Sequence, residues 1–195
     1  MDILIYYAFE AVTIIMVTTL FEFMKAFLST KQGDTVPKNM GKLTLNPAKH
    51  FEPIGFLLFL FSGYGWANPV ETSSRNYKDR KTGTVITYLV PIIVFIILAV
   101  IIKIIMNIAI IADMGAMGYV NLFLALLSRN LAAVAVFNII PVYPMSGSWL
   151  IRCILNPNQA IKYAQYEKPL QIIIMFLLVL GVLTPVLNTI VGFIV

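Results

Sequence analysis

Apolar residues in this chain come in long unbroken runs, where a soluble helix would show them every third or fourth position. From Leu170 to Val195, 26 residues pass without a charge. Thr84 to Ile102 gives 19 more, and the apolar character continues past Lys103 as far as Asp113. About 20 apolar residues in a helix cross the roughly 30 Å hydrocarbon layer, so each run predicts a membrane span. A third span is expected over Tyr119 to Ile140, with Arg129 near its middle, and the first over Ile3 to about Leu28, carrying Glu10, Glu22 and Lys25. The first span reads as a retained helix and not a signal peptide: Asp2 is the only early charge, and no small-residue cleavage site follows.

Two further apolar stretches are too short or too broken to cross. In "FEPIGFLLFLFSGYGWANPV" (51–70) about ten residues lie between Pro53 and Gly63 before Gly65 and Pro69 interrupt. The second, "IIPVYPMSGSWLI" (139–151), contains Pro141, Pro144 and Gly147, which a continuous helix would not hold without kinking. Irregular backbone at membrane depth needs protein or water around its polar groups, so both are expected to enter the bundle as re-entrant segments. The pattern predicts an α-helical polytopic membrane protein, one domain over 1–195, with about four transmembrane helices and two partly inserted segments.

Composition agrees: 59% of residues are hydrophobic and 12% charged, with a mean hydropathy of +0.88. Charge adds orientation. Loops 31–83 and 152–168 hold eleven lysines and arginines, among them Lys31, Lys42, Arg75, Arg152 and Lys168, whereas the opposite side has none. The bias places these loops in the cytoplasm and both termini outside. Basic loops facing anionic lipid account for the net charge of +5 without nucleic acid, which would require a folded basic face with stacking aromatics. Cys153 is the only cysteine, which excludes an intrachain disulfide and a thiolate metal site.

Four sequence blocks carry a more specific reading. The first, "FEFMKAFLSTKQGDTVPKNMGKLTLNPAKHFEPIG", is followed by "GWANPV", then "SRNYKDRKTG" (74–83), then "FNIIPVYPMSG" (137–147). In this order they resemble the site-2 protease family of intramembrane zinc metalloproteases, in its compact prokaryotic branch without a PDZ domain. Members of that family have H-E-x-x-H in the first block, then stretches such as "GRLTLNPLKHIDPIG", "GWAKPV", "PRNFRNPRRG" and "FNLLPIPPLDG". The resemblance implies a prokaryotic cell membrane and a small β-forming loop at "GKLTLNP".

The family's chemistry rests on two histidines at i and i+4, which give two neutral nitrogens to zinc, and on the later aspartate, which gives a carboxylate oxygen. The intervening glutamate is the general base for a zinc-bound water. Here the histidine positions are Phe21, with no donor atom, and Lys25, whose ammonium has no lone pair; the aspartate position is Ser146. Glu22 alone remains of the catalytic set. The resemblance therefore implies a degenerate member, with zinc absent. The second span departs too: "LVPIIVF" (89–95) keeps Pro91 but has no glycine before it and no asparagine after.

Few other side chains offer donor atoms for a metal. His50, the sole histidine, stands where the family also tends to have one and is expected to belong to the scaffold; Asp34 and Asp113 share no spacing with Glu22. Glu22 and Lys25, three apart, either form an ion pair or separate, with Lys25 reaching the interface. Arg129 is expected to seek Glu10 or Glu22, or else water. Asn138, Pro141, Pro144 and Gly147, with Gly65 and Trp66, resemble the family's substrate cradle or simply hold the fold. The expected function is that of an inactive homologue, a pseudoprotease binding or regulating a membrane protein or transmembrane peptide in the bilayer. The alternatives are a protease with a non-standard or partner-completed metal site, and a membrane scaffold or transport-assembly protein.

Overall fold

A computed structural model of the chain describes residues 3–108 and 116–195. Its helices are α1 (Ile3–Lys31), the single turn α2 (Val36–Asn39), α3 (Pro53–Ser62), α4 (Arg80–Ile108), α5 (Ala116–Ile139), α6 (Ser146–Ile154), α7 (Pro157–Val179) and α8 (Thr184–Ile194). With no water in hydrocarbon, backbone polar groups must bond within their own segment, and the apolar runs accordingly become helices. Three of them, α1, α4 and α5, are long and apolar enough to cross a membrane. Asp113, to which the second run was expected to extend, lies outside the described residues.

These three form the centre, with α8 against α5 and α6 against α4. From Leu131 to Phe137 every side chain of α5 is buried. Ala132, Ala133 and Ala135 in that stretch are small enough for neighbouring helices to approach closely. Ser128 adds a hydroxyl bond to the Ala99 carbonyl of α4, at 2.9 Å.

The fourth span differs from expectation. The uncharged run from Leu170 is not one tilted helix: α7 and α8 meet at 81°. Gly181 takes a left-handed φ of +69°, which stops α7, and Pro185 in the first turn of α8 starts the next helix. Among the described residues, three helices are thus long and apolar enough to cross a membrane, or four if the bent pair counts as one span.

The first short apolar stretch forms the ten-residue helix α3. The Glu52 carboxylate accepts from the Gly55 amide to cap α3, and Gly63 ends the helix at φ +80°. Ten residues of helix rise about 15 Å, half the hydrocarbon depth. Arg129, from the middle of α5, lies against the end of α3: a Cβ added to Gly63 would sit 2.3 Å from its guanidinium. The 139–151 stretch divides into a turn with a cis Tyr143–Pro144 bond and the start of α6.

The expected β-forming loop is absent: no strand occurs among the described residues, and 41–46 is irregular. Cross-loop bonds hold this region instead. The Asn68 amide donates to the His50 carbonyl at 2.8 Å, and Lys42 Nζ donates to the Asn68 carbonyl at 3.3 Å. Gly41 at φ +65° and Pro47 bracket the segment too closely for a ladder to form.

Candidate functional site

α1 presents Phe21, Glu22 and Lys25 toward α4 and the extended chain after α3, and all three are buried. Lys25 Nζ lies 2.6 Å from Glu22 Oε1, so the two form an ion pair and Lys25 does not reach the interface. The other carboxylate oxygen, Oε2, accepts the Val70 amide at 2.8 Å. A buried charge is tolerable only when paired and hydrogen-bonded, and both conditions hold for Glu22.

Aromatic rings enclose the ammonium. Lys25 Nζ is 5.3 Å from the Phe21 ring centroid and 5.9 Å from that of Tyr88. Phe21 meets Phe95 of α4 edge to face, with centroids 5.0 Å apart. Tyr88 stacks on Trp149 of α6 at 5.2 Å and 7°, and its hydroxyl shares a hydrogen with Thr72 at 2.7 Å. The Arg152 guanidinium also lies over the Trp149 ring, 5.0 Å from its centroid, and is paired with Glu167 of α7. A ladder of charge and ring therefore runs Glu22, Lys25, Tyr88, Trp149, Arg152, Glu167. No spacing along the chain points to it; the one local signal is Tyr88, a polar-tipped ring in an apolar run, which needs a partner for its hydroxyl.

Ser146 is fully buried at the start of α6. Its amide and hydroxyl both point to Asn138 Oδ1, at 3.1 and 3.3 Å, while Asn138 Nδ2 donates to the Val134 carbonyl at 3.0 Å. Phe21, Glu22, Trp66, Asn138 and Pro144 line a common cavity of about 10 Å³, roughly the space of one water. The structure thus brings Asn138 and Pro144 to Glu22. It does not bring Pro141, whose carbonyl accepts the Tyr163 hydroxyl, or Gly147, which packs on the Ile139 and Ile140 carbonyls.

A zinc ion does not fit these residues. It requires nitrogen, sulfur or carboxylate donors in a tetrahedron, and here positions 21 and 25 carry a phenyl ring and an ammonium paired with Glu22, and position 146 a hydroxyl committed to Asn138. Among the described residues no group of three His, Cys, Asp or Glu side chains could hold a metal. His50 donates Nε2–H to the Thr44 carbonyl at 2.9 Å, its Nδ1 has no partner, and burial holds the imidazole below its ordinary pKa.

Asp34 lies just beyond α1 and is fully buried. It accepts from Ser29 Oγ (2.8 Å), the Val36 amide (3.0 Å), the Ser73 amide (2.8 Å) and Asn76 Nδ2 (3.2 Å). Burial alone would push its carboxyl up, but these bonds outweigh it and hold the pKa below the ordinary value. Tyr77 extends the network from Ser29 at 2.9 Å to Thr87 of α4 at 3.2 Å. Arg129 lies 3.7 Å from Glu10, not near Glu22, and Asn130 joins Glu10 to Thr13 at 3.4 and 2.9 Å.

Comparison with known proteins adds one relative. The chain is 30% identical, over a 205-residue alignment covering 96% of this chain and 92% of the relative, to a protein of Bacillus subtilis (strain 168) named "Putative zinc metalloprotease YwhC". No family model matches the chain, and no solved structure matches it.

Proposed function

The chain belongs to the site-2 protease family of membrane metalloproteases, and from that membership we propose that it is a pseudoprotease, a non-catalytic member that holds or regulates a membrane protein partner. The observation that carries the reading is the Glu22–Lys25 pair at 2.6 Å. A carboxylate that is to take a proton from a metal-bound water must face that water; this one faces an ammonium and the Val70 amide. Beside the pair remains only a cavity of about 10 Å³, roughly the space of one water. In this reading loops 31–83 and 152–168 face the cytoplasm of a prokaryotic cell, and the termini face outward.

The test is zinc per chain in detergent-purified protein, compared with a variant carrying Phe21→His, Lys25→His and Ser146→Asp together. Near-zero zinc in the natural chain and a gain in the triple variant are expected. Stoichiometric zinc in the natural chain, or cleavage of transmembrane substrates by it, overturns the reading in favour of a protease with a non-standard site.

A further inference from the structure

Three cavities run end to end along α7. The first, about 550 Å³, lies between Thr72, Tyr143 and Trp149 on one wall and Ala164, Gln165 and Lys168 on the other. The second, about 330 Å³, shares Tyr143 and Gln171 with the first and continues past Trp66 to Ile54 and Met175. The third, about 750 Å³, shares Ile54 with the second and is walled by Leu57, Phe61 and Val179 as far as the start of α8. They make one groove whose character changes along its length. Its mouth holds two carboxylates, Glu71 and Glu167, and two cations, Arg152 and Lys168, whereas its far part is mainly aliphatic and aromatic. The polar groups at the far end are already engaged or covered. Ser62 Oγ donates to the Leu58 carbonyl at 2.7 Å, Asn188 Oδ1 accepts the Tyr64 hydroxyl at 2.8 Å, and the Thr184 hydroxyl oxygen is buried.

At the mouth, Arg152 and Glu167 are paired with each other. Glu71 and Lys168 are exposed, and the ion pairs among the described residues engage neither. One free anion and one free cation thus stand at the polar end of an apolar channel. The length of the groove selects among occupants. Along α7 it runs from Ala164 to Val179, about 22 Å at the helical rise, and one leaflet with its headgroups is about 20–22 Å thick. A transmembrane helix, from another protein or a second copy, needs a groove through the whole hydrocarbon layer of about 30 Å. It would meet α8, which turns from α7 at 81° and lines the groove's end with Thr184 and Pro185. The charges select further. A choline headgroup has no N–H to offer Glu71, and a glycerol headgroup has no cation. We propose that this groove binds one phosphatidylethanolamine molecule from the leaflet on the side of loops 31–83 and 152–168, with its phosphate at Lys168, its primary ammonium at Glu71 and its acyl chains along α3 and α7. The site stands apart from Glu22 and does not rest on the pseudoprotease reading.

The chain carries its own reporters, because Trp66 and Trp149, its two tryptophans, both line the groove. The full chain in phosphatidylcholine vesicles is titrated with phosphatidylethanolamine bearing brominated acyl chains, which quench an indole on contact; brominated phosphatidylcholine and phosphatidylglycerol serve for comparison. One charge-assisted hydrogen bond separates the headgroups, so about a tenfold preference for phosphatidylethanolamine over either is expected. Glu71→Gln should remove the preference over phosphatidylcholine, and Lys168→Gln should weaken all three lipids; both positions are exposed, so both variants keep the fold. Equal quenching by brominated phosphatidylethanolamine and phosphatidylcholine overturns the proposal, as does a preference that survives Glu71→Gln. Stronger quenching by phosphatidylglycerol would show a site for anions alone and overturns it too. So does displacement of the lipid by glycerophosphoethanolamine at equal concentration, which would show a headgroup site without a place for chains. Zinc in the natural chain would sink the pseudoprotease reading and leave these ratios unchanged.

Discussion

Two buried carboxylates, Glu22 in α1 and Asp34 just beyond its end, solve the same problem differently. Glu22 is matched to one cation and one amide, inside a shell of rings. Asp34 has no cation and collects four neutral donors from α1, α2 and the 73–76 segment. The first arrangement is a closed pair, whose two members can in principle be removed together. The second is a hub, and no single compensating change can replace it. The difference teaches that a buried carboxylate in this bundle is held either by one cation close at hand or by a ring of neutral donors drawn from several segments.

The comparison breaks most visibly at Lys25. Lys25→Met leaves the Glu22 carboxylate buried without its cation and should cost about 3–5 kcal/mol. Adding Glu22→Gln, which keeps an acceptor for the Val70 amide, should restore most of that; unfolding in detergent measures both. A double variant as unstable as the single would show that the pair is not closed.

Asp34 should allow no such rescue. Asp34→Asn puts donors against donors and is expected to cost about 3 kcal/mol at neutral pH. Because the folded pKa is depressed, the Asp34 contribution is complete above the unfolded value of about 3.9 and is lost as pH falls through the folded value. The gap in melting temperature between natural chain and variant should therefore narrow in acid. A gap constant from pH about 6 down to about 3 would contradict the network.

Smaller effects sharpen the contrast. A Cβ at Gly147 would lie 2.2 Å from the Ile139 carbonyl, so Gly147→Ala must shift α6 and should cost about 2 kcal/mol in the same unfolding assay. Glu10→Gln removes a loose pair at 3.7 Å whose arginine is 34% exposed, and about 1 kcal/mol or less is expected. A larger loss would mean that Arg129 depends on Glu10 to stay against the end of α3.

The sequence made the spans legible because hydrocarbon leaves the backbone one choice, but it left the Glu22–Lys25 pair as one of two alternatives, because a spacing of three permits the contact without deciding it against Lys25 reaching the interface. The bend between α7 and α8 was hidden in an uncharged run, where hydropathy is blind and only Gly181 and Pro185 mark the break. The loop at "GKLTLNP" was read as β-forming from its resemblance, but its side-chain and cross-loop bonds leave no strand. The Tyr88, Trp149, Arg152 ladder joins residues about sixty positions apart in sequence, a proximity that no local pattern encodes.

The Glu22–Lys25 pair also bears on reversibility over evolutionary time. Exchanging Lys25 alone for a histidine strands Glu22 without its ammonium, and exchanging Phe21 alone sets an imidazole against Phe95 in a space for one water. Each single step toward a metal site crosses a less stable protein, and only the combined exchange brings a ligand's reward. On the proposed reading as a pseudoprotease, the pair works as a ratchet that holds the bundle away from a metal site.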